Sequence, residues 1–255
     1  MRIITHTLGY NTVDNIINQS VRSCLQKEHY VVDLGFPLRG DGCNVIDENK
    51  LNNSHELLVD CSAMGFNYMK PARNRGCSPN WDFVFRETEC GLDDVLCGIE
   101  PDEIALNTGW VQAMADVIRA DRQMALVSLN TDGHNGLIEA GKLAGHKTNI
   151  GGHNVLVVNG LCSWAMIGFN GRFLHRMGGI PTPKGADIYG HIESGCYQHI
   201  LDGGYRWCIL LDYFCQHTDD IPLYRSWKTD VTSGKYTSKE QIQFDEWLRV
   251  EKGFV

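Results

Sequence analysis

The sequence predicts an α/β protein built on an open sheet that begins parallel, and three observations carry that expectation. Residues 2–35 read strand, helix, strand, the pattern that opens a parallel sheet. The chain has 255 residues, 43% apolar and 21% charged, an ordinary globular composition and enough length for one large α/β domain or two small ones. No stretch of 18 or more apolar residues is present to span a bilayer as a helix.

The elements follow in order. Arg2-Ile3-Ile4-Thr5 reads as a buried strand, with a turn expected around Gly9 and Asn11. Val13, Ile16, Ile17, Val21 and Leu25 recur at helical spacing, and Tyr30 to Gly35 reads as the second strand. Residues 36–52, rich in Gly, Asn and Asp, read as a loop before a short third strand at Glu56–Asp60. Residues 72–86 predict a helix interrupted at Gly76 and Pro79, whose Trp81, Phe83, Val84 and Phe85 supply core. Asp94 to Ile99 reads as a strand ending in the acidic cluster Glu100-Pro101-Asp102-Glu103. Helical spacing returns over 109–122, and Met124 to Leu129 reads as a strand. Residues 130–152 are polar and read as a loop carrying a short helix at 136–144. A strand at Val155–Asn159, a mixed segment to Phe173, a helix at Glu193–Leu201 and a strand at Tyr205–Leu211 complete the pattern.

Composition narrows the function. The N-terminus lacks the apolar run of a secretory signal, and the ten cysteines include no Cys-x-x-Cys. A cytoplasmic location with reduced, core-packed thiols is therefore expected, rather than a zinc ribbon. The net charge of −8 disfavours non-specific coating of nucleic acid. Residues 221–255 nevertheless carry six basic and five acidic side chains, with Tyr224, Trp227 and Tyr236 interleaved among Arg225, Lys228, Lys235 and Lys239. Such a segment either meets a polyanion or packs on the sheet.

Four constellations can carry chemistry. Asp33 sits at the end of an apolar strand, where a carboxylate can accept hydrogen bonds from a nucleobase or ribose, or simply serve the strand-end turn. Glu100 and Asp102 alternate in an extended segment stiffened by Pro101, so both can point the same way and offer hard oxygen ligands to Mg²⁺ or Mn²⁺. His217 follows an apolar strand and is a further ligand candidate or a structural histidine. Glu193 opens a helix, suited either to a general base or to the helix dipole.

The order of these pieces resembles family 2 glycosyltransferases of the GT-A fold over roughly residues 1–220. The resemblance is carried by Val31-Val32-Asp33, by Lys70-Pro71-Ala72-Arg73-Asn74-Arg75-Gly76, and by the strand leading to Glu100-Pro101-Asp102-Glu103. Downstream, Phe173 to Ile180 with Gly178-Gly179 looks like the acceptor-side segment. Tyr189-Gly190-His191-Ile192-Glu193 resembles the family's Glu-Asp motif, with Gly204-Tyr205-Arg206 beyond it. The acidic triplet here begins with Glu, Ile192-Glu193 stands where the family has Glu-Asp, and the strand-one signature corresponds to Thr5-His6-Thr7.

The resemblance implies a Rossmann-type mixed sheet flanked by helices in a single GT-A-like domain. Residues 1–108 would form the nucleotide-sugar half, 109–220 the acceptor half, and 221–255 a C-terminal extension packed on the domain. It further implies that Asp33 contacts the nucleobase, Arg73 the nucleotide and Asp102 the metal, that His217 is the late metal-binding histidine, and that Glu193 is the base. The expected activity is inverting, metal-dependent transfer of a sugar from a nucleotide diphosphate, of uridine type, to an acceptor hydroxyl, with Mn²⁺ or Mg²⁺ as cofactor. A hydroxymethylated pyrimidine in phage DNA, met through the local basic segment, is one candidate acceptor. A cell-envelope saccharide or a lipid-linked acceptor is the alternative within the same chemistry, and nucleotidyl transfer or a non-catalytic binding module are the rival classes.

Overall fold

The computed structural model describes residues 1–10, 28–35, 65–71, 77–100, 103–181 and 192–217. The helix expected over 13–25, the loop at 36–52, the strand at 56–60 and the segment 221–255 lie outside them.

Strand β1 (Ile3–Tyr10) is twice the expected length. It runs parallel to β2 (His29–Gly35) on one side and to β4 (Val95–Ile99) on the other. Beyond β2 lies β3 (Asn67–Met69), too short for sequence periodicity to register. Helix α1 (Cys77–Glu87) precedes β4 and is uninterrupted. Pro79 falls in its first turn, where a missing N–H breaks no intrahelical bond, and this removes the interruption expected there; Gly76 lies outside the described residues.

After β4 come β5 (Glu103–Ala105), α2 (Trp110–Ala120) and β6 (Met124–Asn130). The short helix expected at 136–144 within the polar stretch is present, shifted toward the N-terminus, as α3 (Asp132–Glu139), while part of the remainder, expected to be loop, forms the strand β7 (Gly145–Ile150). Thr131 caps α3 by accepting the His134 N–H, whereas β7 is an exposed edge strand whose polar sequence gives no alternation to detect. The chain continues through β8 (His153–Val158), β9 (Ile167–Asn170), α4 (Gly171–Met177), α5 (Ile192–Gly203) and β10 (Arg206–His217).

The sheet order is β3-β2-β1-β4-β9-β6-β10-β8-β7, with β5 paired to β10 off this path. Strands β9, β8, β7 and β5 run antiparallel to their neighbours, so the sheet that begins parallel becomes mixed. Helices cover both faces. Leu96, Leu126, Trp207 and Ile209 pack with Trp81 and Phe85 of α1, Phe173 and Leu174 of α4 and Ile200 of α5. The alternate residues Val95, Cys97, Val127 and Cys208 meet Trp110, Met114 and Val117 of α2 on the other face. Burial on both faces explains why β4 and β6 read as near-continuous apolar runs.

Two packing features are specific. A Cβ built on Gly98 would lie 1.9 Å from the Trp81 indole, so this glycine lets the ring lie directly on β4. Thr5, His6 and Thr7 sit mid-strand and buried, not at the sheet's rim, which removes them as counterparts of a nucleotide-binding signature. His29 instead uses the two threonines. Its Nδ1 is 2.8 Å from the Thr5 hydroxyl and its Nε2 is 3.4 Å from the Thr7 hydroxyl. Because the Thr5 hydroxyl donates to the Glu28 carbonyl, Nδ1 carries the proton and Nε2 accepts from Thr7, an arrangement for a neutral ring. His6 lies edge-on to Trp81 with ring centroids 4.2 Å apart.

Burial lowers the His29 pKa to about 3, and burial aided by the neighbouring His29 lowers that of His6 to about 3. Unfolding lets both rings take up protons at their ordinary pKa, so stability is full above pH 6.5 and falls as pH drops below it. The slope approaches about 1.4 kcal/mol per pH unit for each histidine. Urea unfolding between pH 7 and pH 5, above the titration of ordinary carboxylates, reads this slope, and His29→Gln is expected to reduce it by about one proton. Gly98→Ala is expected to cost at least about 1–3 kcal/mol through overpacking against Trp81, measured by the same unfolding curves.

Candidate active site

The parallel strands β1, β2, β4 and β6 deliver their carboxyl ends to one rim of the sheet, the edge where open α/β sheets bind ligands. Asp33 lies near the end of β2, in register with Gly9 of β1. Strand β4 ends at Ile99, and Glu100 follows it. Arg73 and Asp102 lie outside the described residues. The Glu103 N–H donates to the Glu100 carbonyl at 3.3 Å, closing the backbone on either side of positions 101–102.

The last turn of the sheet depends on β10 serving two sets of partners. Up to Leu210 it pairs with β6 and β8; Leu210 matches Leu129, but the next match is Phe214 with Asn130, so residues 211–213 bulge out of register. A bulge of this kind bends a strand. Past it, β10 pairs with β5, bringing Cys215 opposite Ala105 and His217 opposite Glu103. The Asn107 side chain fixes the bend by accepting the Phe214 N–H at 2.9 Å, and Leu106 N–H donates to the Phe214 carbonyl at 2.8 Å. His217 is therefore across one backbone pairing from the residue that follows Asp102.

Glu103 itself is only 1% exposed. Its carboxylate Oε2 accepts the Met166 N–H at 2.9 Å, and the Cys215 thiol lies 3.9 Å from the same oxygen. Burial first, and then the Glu103 and Glu100 carboxylates, keep Cys215 protonated. The acidic cluster thus divides: Glu103 faces inward and holds structure, a role its position before Ile104-Ala105 hints at only once β5 is seen.

The segment it holds, residues 162–166, is clamped along its length. His134 Nε2 donates to the Ser163 carbonyl at 2.8 Å, the Ala165 N–H donates to the Ser128 hydroxyl at 3.0 Å, and that hydroxyl lies 3.0 Å from the Ala165 carbonyl. Ser128 and His134 are both buried. Met166 has φ 40°, a left-handed conformation that an unbranched non-glycine residue keeps only where its surroundings enforce it. Sequence reading missed the roles of Ser128 and His134, because nothing local marks a clamp assembled from β6, α3 and the strand approach to β9.

Glu193 stands half-buried in the first turn of α5. Burial, and after it the Glu193 carboxylate, raise the Cys162 thiol to about 12, and the same two causes raise that of Cys196. Glu193 therefore acts electrostatically on one end of the clamped segment, while Glu103 holds the other. Seven described cysteines are free thiols. Among the described residues there is no cluster of three His, Cys, Asp or Glu side chains suited to a metal ion, and no helix long and apolar enough to cross a membrane.

No protein-family model matches the chain, and no curated protein matches it in sequence. Solved structures do resemble it. GalNAc-T7 with UDP, GalNAc and Mn²⁺ aligns at a TM-score of 0.59 and 10% identity, over 85% of this chain and 43% of that one. The mannosyltransferase PcManGT from Pyrobaculum calidifontis, in complex with GDP-Man and Mn²⁺, aligns at 0.58 and 16%, over 98% of this chain and 70% of that one. S. aureus TarS 1-349 in complex with UDP-GlcNAc aligns at 0.52 and 13%, over the whole of this chain and 73% of that one. The chain spans less than half the length of GalNAc-T7. These likenesses, together with the strand order, establish the GT-A fold that the motif order implied.

Proposed function

We propose that the protein is a metal-dependent glycosyltransferase that moves a sugar from a nucleotide-diphosphate donor to an acceptor hydroxyl. The observation that carries this reading is the convergence just described. Glu103, which follows Asp102, pairs with His217 and bonds to Met166, while Cys162 at the other end of the same segment lies in the field of Glu193. Four residues span roughly 14 Å at full extension. The pairing of β5 with β10 and the Glu103–Met166 bond support a reading in which the proposed metal site and the proposed base share the carboxyl-end rim. The GT-A neighbours in complex with UDP or GDP-Man and Mn²⁺ support the same reading by analogy of fold.

The residues fit a divalent cation. A carboxylate oxygen from Asp102 and an imidazole nitrogen from His217 suit Mn²⁺ or Mg²⁺, while Glu103, buried and bonded through Oε2 to the Met166 N–H, is assigned to the scaffold. When bound, such an ion supplies Lewis acidity toward the diphosphate leaving group. Asp33 accepts hydrogen bonds from the nucleobase, of uridine type in this reading, and Arg73 pairs with the nucleotide's charge. Glu193 accepts the proton of the acceptor hydroxyl as its oxygen bonds to the anomeric carbon. The bond from that carbon to the diphosphate oxygen breaks on the opposite side, with inversion and no covalent enzyme intermediate. In this scheme residues 1–108 hold the nucleotide sugar, 109–220 receive the acceptor, and 221–255 form a C-terminal extension packing on the domain.

For the acceptor we favour a polyanion, with hydroxymethylated pyrimidine in DNA as the specific candidate. The support is the run of Arg225, Lys228, Lys235 and Lys239 with its interleaved aromatics. Envelope saccharides and lipid-linked acceptors are the competitors, and a nucleotidyltransferase would release pyrophosphate instead of a nucleoside diphosphate.

Incubation with Mn²⁺, a panel of nucleotide sugars and these acceptors, with mass analysis of both products, tests the proposal. Release of nucleoside diphosphate coupled to acceptor glycosylation is the expected result. Glu193→Gln is expected to lower kcat by about 10²–10⁴-fold while nucleotide binding persists. Asp102→Asn is expected to abolish the Mn²⁺ dependence of nucleotide affinity in calorimetry. DNA binding whose affinity does not fall with rising salt would remove the polyanion.

A further inference from the structure

Strand β10 changes faces at its bulge. Before it, Trp207, Ile209 and Leu211 pack on the α1 face of the sheet, while Cys208 and Leu210 pack on the α2 face. Past it the assignment reverses, and the odd-numbered Tyr213 and Cys215 pack on the α2 face. The register accounts for this: β10 advances from Leu210 to Phe214 while β6 advances only from Leu129 to Asn130, and the odd excess of residues reverses every later side chain. After the reversal the Cys215 thiol lies 3.9 Å from Glu103 Oε2, and His217 is in register with Glu103.

Residues 211–213 have left the ladder with β6, so other groups must hold them. Two asparagines do so. Asn154 of β8 donates from Nδ2 to Asp212 Oδ2 at 2.9 Å, at the middle of the bulge. At its end, Asn107 accepts the Phe214 N–H at 2.9 Å and the Leu106 N–H donates to the Phe214 carbonyl at 2.8 Å, so both backbone polar groups of Phe214 are gripped. Asn107 is exposed and adds nothing to the core, and its bond to Phe214 is therefore no by-product of packing. It also stands two residues beyond β5. One short stretch thus supplies Glu103 as the pairing partner of His217 and Asn107 as the anchor of β10 three residues ahead of it.

Resting on the glycosyltransferase reading and its assignment of His217 to the metal, we propose that Asn107, together with Asn154, is a positioning residue for the metal site, fixing the bulge of β10 and with it the place of His217 beside the acidic cluster. Neither asparagine is a ligand. Groups that hold a ligand in place tune metal affinity without touching the ion.

The measured quantity is the Mn²⁺ enhancement of nucleotide affinity, the ratio of UDP or GDP affinity with Mn²⁺ to that without it. Calorimetry compares the wild-type protein, Asn107→Ala, His217→Ala and the double variant. Asn107→Ala is expected to reduce the enhancement about threefold to tenfold, the worth of one hydrogen bond, with affinity in the absence of Mn²⁺ unchanged. In the His217→Ala background it is expected to reduce it no further, because two residues acting through one group are not additive. An enhancement that His217→Ala lowers and Asn107→Ala leaves intact overturns the inference, even where urea unfolding shows lost stability, and leaves the glycosyltransferase reading standing. So does an equal reduction in both backgrounds, or an equal weakening with and without Mn²⁺. A His217→Ala protein with full enhancement removes His217 from the metal and overturns the inference with it. A wild-type protein with no Mn²⁺ enhancement for either nucleotide overturns the metal-dependent reading itself. Should Asn107→Ala not fold, Asn154→Ala takes its place in the same cycle, with the same expected and overturning results.

Discussion

A carboxylate removed from water must find donors inside the protein, and the Glu103 side chain finds one in the Met166 N–H. Much of the candidate site depends on that bond. It joins the segment after β4 to the segment before β9, and it does so beside the pairing of β5 with β10. Loss of the acceptor would remove a partner that holds Met166 in its left-handed conformation. The same bond gives Glu103 of the acidic cluster a structural role.

The legible parts of the fold are those where apolar spacing is local and strong. The strands at 95–99, 124–130 and 153–158 and the helix at 110–120 were all readable, because each is buried on one or both faces and its periodicity survives in the side chains. Strands β3, β5 and β7 were not. The first two have three residues each, and the third is polar and exposed, so neither hydrophobicity nor alternation marks them. The full length of β1 was also hidden, since polar Thr5, His6 and Thr7 look like a strand exit until His29 is seen to bond the two threonine hydroxyls across the sheet.

Legibility of the site divides along the same line. Asp33 and Glu193 fall at a strand end and a helix start, positions that patterning alone suggests. His217 gains its significance from a bulge that redirects β10, and no sequence signal announces that three residues will leave the ladder. Ser128 and His134 act through backbone atoms of a segment more than 25 residues away, where contact depends on the finished topology. Long-range partners of this kind are invisible to any reading that works within a window of one helix or strand.

Strand β9 lies between β4 and β6, although some 70 residues of chain separate it from the first of these. This interleaving has a consequence for how the molecule assembles. On a ribosome, β4 and β6 emerge well before the strand that must seat itself between them, and β5 waits longer still for the end of β10. The nascent chain therefore holds an open gap in its sheet until β9 has been made. Such distant contacts favour slow folding and a late, cooperative closure. Cleavage near position 108 would accordingly give two fragments each lacking a central strand partner, not two independently folding halves.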